Sequence, residues 1–205
     1  MILRIEQTKK EAYKAEFRII ADGNSAGSAA FIGRMGTMEG VWNINIMGRQ
    51  FGMERIRKVS EKSFRPYALS INGSPLGHVY QTEYKTGFFK PSVTHHRLNI
   101  NGQKTDMFPV GCGTLINYPV YYMDRQIALV EKPLTVYDDL HVFDVFALDE
   151  NSAISTALIC FYMYSLAFYK AGEVPIKTVH KGFFECKEKE LLAKYDPDFK
   201  TKYFG

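Results

Sequence analysis

At 205 residues, with 46% hydrophobic and 23% charged positions, the chain is long enough for one domain with a sizeable core, and it is not disordered, collagen-like or a coiled coil. Three cysteines (Cys112, Cys160, Cys186) without a CxxC spacing exclude a disulfide framework and a cysteine-rich zinc module, and the formal net charge of +4 is ordinary. The unusual feature is aromatic: 13 Tyr and 15 Phe against one Trp.

The opening MILRIEQTKKEAYK has no apolar core of the kind a secretory signal needs. Together with free thiols this predicts a cytoplasmic protein, peripheral at most to the membrane. Punctuated strands follow. Residues 16–33 read as strand, Asp22-Gly23 turn, strand, and residues 67–81 and 96–108 repeat the plan around Asn72-Gly73 and Asn101-Gly102. Such dipeptides between alternating segments signal hairpins, because primed turns need positive φ at both centres. A fourth copy spans 118–131 with Asp124-Arg125 as the expected reversal, and further strands are expected at 41–48, 51–59, 134–138 and 141–148. Ten or more short strands without intervening helices indicate an antiparallel sandwich or barrel.

The stretch from Asn151 to Tyr169 then runs 19 residues without a charge. Asp149 and Glu150 suit the start of a helix over 152–170, and Lys170 and Gly172 suit its end. Ile154, Leu158, Phe161, Leu166 and Phe168 make no single stripe, so the helix is enclosed either by lipid or by protein. Its three Ser, one Thr and three Tyr favour protein, which implies strands first and a helix threaded through them. A short amphipathic helix is expected over 184–195, ended by Asp196-Pro197. The basic, aromatic last residues (Lys200, Lys202, Tyr203, Phe204) are expected to dock on the barrel end.

Charge is divided along the chain. Residues 49–104 carry ten Lys or Arg against three acids, whereas 120–150 carry two against seven. The densest basic run, Arg49, Arg55, Arg57, Lys58, Lys62 and Arg65, is the candidate lipid- or anion-binding set. Asp138, Asp139, His141 and Asp144 are the candidate metal ligands, since oxygen-rich loops suit calcium or magnesium; the same residues also read as a turn between strands. The adjacent His95 and His96 would point to opposite faces of a strand and so chelate poorly. Tyr84, Phe88 and Phe89 among Lys85, Lys90 and Arg97 are the best nucleic-acid feature, against the plainer reading of an edge hairpin with inward aromatics. No nucleotide, zinc-protease or esterase motif is present, and Cys112 between two glycines has no visible base, so no catalytic residue and no cofactor is expected.

The segment YPVYYMDRQIALVEKPLTVYDDLHVFDVFALDENSAISTALICFYMY resembles the tubby C-terminal-like superfamily, which includes plant LURP-one-related proteins and phospholipid scramblases. Asp124-Arg125 takes the turn, Glu131-Lys132-Pro133 follows, and Val142-Phe143-Asp144-Val145 precedes the hydrophobic helix. The resemblance covers about residues 15–170 and is strongest over 118–165. It implies a closed antiparallel barrel of about twelve strands around a central helix. It leaves out the first 14 residues and an extension over 173–205 of a single domain. It further implies a non-enzymatic intracellular module that binds a phosphoinositide-like anionic membrane lipid or a protein partner. The alternative is a structural or regulatory interaction domain without a small ligand, with a hydrolase a distant third.

Overall fold

The computed structural model describes residues 1–35, 40–57, 64–84, 93–173, 177–186 and 188–205. Twelve strands meander around a closed barrel: β1 (Ile2–Glu11), β2 (Lys14–Ala21), β3 (Asn24–Gly33), β4 (Gly40–Ile46), β5 (Arg49–Arg55), β6 (Phe64–Ile71), β7 (Ser74–Tyr84), β8 (Val93–Ile100), β9 (Gln103–Met107), β11 (Leu115–Tyr122), β12 (Arg125–Pro133) and β14 (Val142–Ala147). Each pairs antiparallel with the next, and β1 closes on β14 with Leu3 opposite Val145 and Ile5 opposite Phe143. Closure removes every sheet edge that another chain would otherwise pair with. The barrel therefore starts at Ile2, not near residue 15. Leu3, Ile5 and Gln7 point inward in alternation, but the polar residues between and after them disguise the strand.

The two ends of the barrel differ. At one end the hairpins close with two residues: Asp22-Gly23, Met47-Gly48, Asn72-Gly73 and Asn101-Gly102, each pair at positive φ. The fourth expected reversal falls one residue earlier, on Met123-Asp124, with Tyr122 opposite Arg125. A bulge between Val120 and Tyr121 shifts the register and moves the turn. At the other end β1 and β2 are joined by Ala12-Tyr13, and β12 and β14 by a longer segment over 134–141.

Helix α1 (Glu150–Ala167) enters at the tight-turn end and runs to the loop end, about 27 Å at 1.5 Å per residue. Asp149 caps it, its carboxylate accepting the Ser152 N–H at 2.8 Å. From Ser152 to Ser165 only Ser155 is not buried, so the uncharged run lies inside the protein. Among the described residues no helix is long and apolar enough to cross a membrane. Barrel side chains meet the helix in an aromatic core: Trp42 lies 4.9 Å from Phe161, Phe17 lies 4.8 Å edge-on to Tyr164, and Phe31 lies 4.7 Å from Tyr169. The tyrosine hydroxyls near the loop end find partners. Tyr162 donates to the Arg65 carbonyl (2.9 Å), Tyr169 donates to the Ala12 carbonyl (3.1 Å), and Tyr164 accepts from the Gln7 amide (2.9 Å).

The chain after α1 wraps the outside of the barrel. Two small sheets form near the loop end: β10 (Cys112–Gly113) with β16 (Phe184–Glu185), and β13 (Thr135–Tyr137) with β15 (Val179–Lys181). Residues 184–185 are thus strand, and the expected helix over 184–195 shortens to α2 (Lys189–Lys194). Leu191 of α2 packs on Phe108 and Tyr121, and Phe199 of α3 (Phe199–Phe204) packs on Leu129 and Phe146. The tail docks on the outer wall, where outward aromatics need cover, and not on the barrel end.

The interior should dominate stability. Phe161→Ala should lose about 3–5 kcal/mol through the cavity left around Trp42, and Tyr164→Phe about 1–2 kcal/mol by removing the shorter of the two hydrogen bonds donated by the buried Gln7 amide. Urea denaturation followed by Trp42 fluorescence measures both, and a loss below about 1 kcal/mol for Phe161→Ala would contradict the enclosed helix.

Candidate membrane-facing end of the barrel

Large apolar side chains stand exposed at the loop end. Met35 is 77% exposed just after β3, and Ile32, Phe64 and Tyr13 are also exposed. Tyr137 and Phe183 (71% exposed) extend the set across the small sheets. They lie there because the barrel already has its core: positions past the last inward residue of a strand have no interior to enter.

Cations stand among them. Arg57 and Arg65 are exposed and make no ion pair among the described residues, while Arg55 lies 5.9 Å above the Tyr67 ring. Arg65 sits at positive φ, and its carbonyl is held by Tyr162 of the central helix. The rim is thereby tied to the core. Arg34 binds Glu54 at 2.7 Å.

The expected basic set is only partly brought together. Arg55, Arg57 and Arg65 share the loop end. Arg49 starts β5 at the opposite end, about 20 Å away at 3.3 Å per residue, and binds Glu150 at 2.9 Å. Lys58 and Lys62 lie outside the described residues, as do Lys85, Phe88, Phe89 and Lys90 of the nucleic-acid feature and the side chain of Cys112. Arg97 of that feature is engaged bidentately by Asp106 at 2.5 and 2.8 Å.

The expected metal cluster does not assemble. Among the described residues no three of His, Cys, Asp and Glu converge as a metal site. Asp138 and Asp139 occupy a turn at positive φ, as the plainer reading required. Asp139 accepts from Lys10 at 2.9 Å. Burial alone lifts its carboxyl, but the hydrogen bond and charge of Lys10 outweigh it and hold the group below its usual value. Asp144 faces Arg4 on the outer wall at 3.1 Å, with burial raising its carboxyl. His141 is turned under the Phe168 ring at 4.7 Å. The four residues fail as a site because strand alternation and separate cations disperse them.

Sequence reading missed Lys132, the cation that braces this end from within. It is 1% exposed, donates to the Pro133 carbonyl at 3.0 Å, and stands 4.7 Å over Phe168 and 5.3 Å over Phe143. Burial pushes its amine down to about 8. Its place beside a proline in a polar stretch concealed it; inward alternation with Val130 was the available signal.

His95 and His96 divide between the faces as expected. His95 stacks on Phe108 at 5.0 Å on the outer wall, whereas His96 meets Tyr162 at 5.9 Å inside. No protein-family model, curated protein or solved structure matches the chain.

The histidines predict acid sensitivity. Burial lowers His95 and His96 from 6.5 to about 4, and burial with the charges of Lys132 and Lys10 lowers His141 to about 3. Unfolded imidazoles take up protons first, so this stability is complete above pH 6.5 and is lost as pH falls toward 4. His96 alone should account for about 3 kcal/mol of that loss. Urea midpoints measured across the window should fall with pH and fall less in His96→Gln; a flat profile would contradict burial of neutral rings.

Proposed function

We propose that this chain is a non-enzymatic binding module of the tubby-like type, whose loop end rests on an anionic membrane surface as a peripheral, cytoplasmic protein. The observation that carries the reading is the interleaving of Met35, Ile32, Phe64 and Tyr13 with Arg57 and Arg65 at one end of a closed barrel. Apolar side chains of this size enter the interface between headgroups and chains, and each nearby cation adds about 1 kcal/mol on an anionic leaflet. A rigid barrel presents these groups together, so little ordering entropy opposes contact.

The test is flotation on vesicles of phosphatidylcholine with about one-third phosphatidylserine, at about 0.1 M salt, where surface attraction still acts within a Debye length. The chain should float with the vesicles. Arg57→Glu/Arg65→Glu and Met35→Asp/Phe64→Asp should each reduce binding about tenfold or more, whereas Lys104→Glu at the tight-turn end should not. Failure of the unaltered chain to bind these vesicles would reject the reading and favour a protein-interaction domain without a lipid ligand.

A further inference from the structure

The opposite end of the barrel is not filled. Between the first half of α1 and strands β5 to β9, β11 and β12 lies a cavity of about 560 Å³, a volume typical of small-molecule sites. Ile71, Leu76, Leu98, Ile100, Ile127 and Leu158 form an aliphatic part of its wall, and Thr105 and Ser152 add polar groups. Ile71, Leu76, Ile100 and Ile127 remain only partly buried although they pack on the core. Ser155, the one unburied residue between Ser152 and Ser165, lines the same space. The helix leans most on β14, while β8 and β12 contribute side chains to the cavity wall.

The mouth of the cavity is polar. Arg49 and Arg125 stand there with Tyr122 and Gln103. Arg49 is held by Glu150, and one oxygen of the Asp149 carboxylate accepts the Ser152 N–H. Arg125 is exposed and makes no ion pair among the described residues. An available guanidinium thus stands over an aliphatic pit that follows α1 from Asn151 to Leu158, about 10 Å at 1.5 Å per residue.

We propose that this cavity binds a single aliphatic chain ending in a carboxylate, a fatty-acid-class amphiphile. Its tail lies along α1 toward Leu158 and its head meets Arg125. An aliphatic tail suits these six side chains, which offer no hydrogen-bonding partner to a polar one. A carboxylate gives Arg125 the charge-assisted, fork-shaped partner it lacks among the described residues, and Tyr122 stands at the same opening. This inference does not rest on the membrane reading, which concerns the other end of the barrel and different residues, so either can fail alone.

Titration calorimetry with decanoate, below its micelle concentration, tests it. The unaltered chain should bind with a negative heat-capacity change, and decanol should bind about tenfold more weakly. Arg125→Gln, an exposed substitution, should weaken decanoate about tenfold and leave decanol unchanged. Leu76→Trp and Ile100→Trp, from neighbouring strands, should abolish binding of both probes by filling the pit, with circular dichroism showing that the barrel persists; Leu76→Phe replaces either variant that unfolds. Absence of decanoate binding, undiminished binding to a folded pit-filling variant, or decanoate affinity unaltered in Arg125→Gln would overturn the proposal.

Discussion

An 18-residue helix with apolar side chains on every face must be enclosed, and the rest of this structure follows from enclosing α1. One sheet face cannot surround a cylinder about 10 Å wide, so the sheet has to close on itself. Twelve strands do so, and their inward alternation supplies Phe17, Phe31, Trp42 and Tyr67 against the helix. Part of the large Phe and Tyr content is used here, as rings that fill a wide barrel interior.

Enclosure also governs the polar groups. The helix brings tyrosine hydroxyls into the barrel, β12 turns Lys132 inward, and each needs a partner. The partners are supplied by strand residues and a turn near the loop end: the carbonyls of Ala12, Arg65 and Pro133 and the amide of Gln7. These bonds tie the loop end to the core, so the exposed apolar and basic groups there project from fixed positions. At the tight-turn end the hairpins stop short of the helix, and the space between them is the aliphatic cavity.

The chain beyond the barrel has a complementary role. Closure buries one face of the sheet, yet Phe108, Tyr121, Leu129 and Phe146 point outward. Helices α2 and α3 cover them. Lys200 reinforces the contact by binding Glu131 at 2.9 Å and lying 4.4 Å over Phe146, and the Tyr121 hydroxyl donates to the Lys194 carbonyl. The extension belongs to the folded unit, and its amphipathic residues are committed to the wall.

By itself the sequence determined the barrel class, the enclosed helix and most of the tight turns. Those features are local: positive-φ dipeptides such as Asn72-Gly73, period-two alternation, and an uncharged run too polar for lipid all act within about 20 residues. Only the tertiary structure decided that β1 belongs to the barrel, because its partner β14 is remote in sequence and its polar residues imitate a tail. Only the structure separated Arg49 from Arg55, Arg57 and Arg65, dispersed Asp138, Asp139, His141 and Asp144, and placed Lys132 in the interior. The physical reason is the same in each case. A charge run reads as one patch along the chain, but a strand carries its two ends to opposite poles of the barrel and alternates its side chains between wall and core.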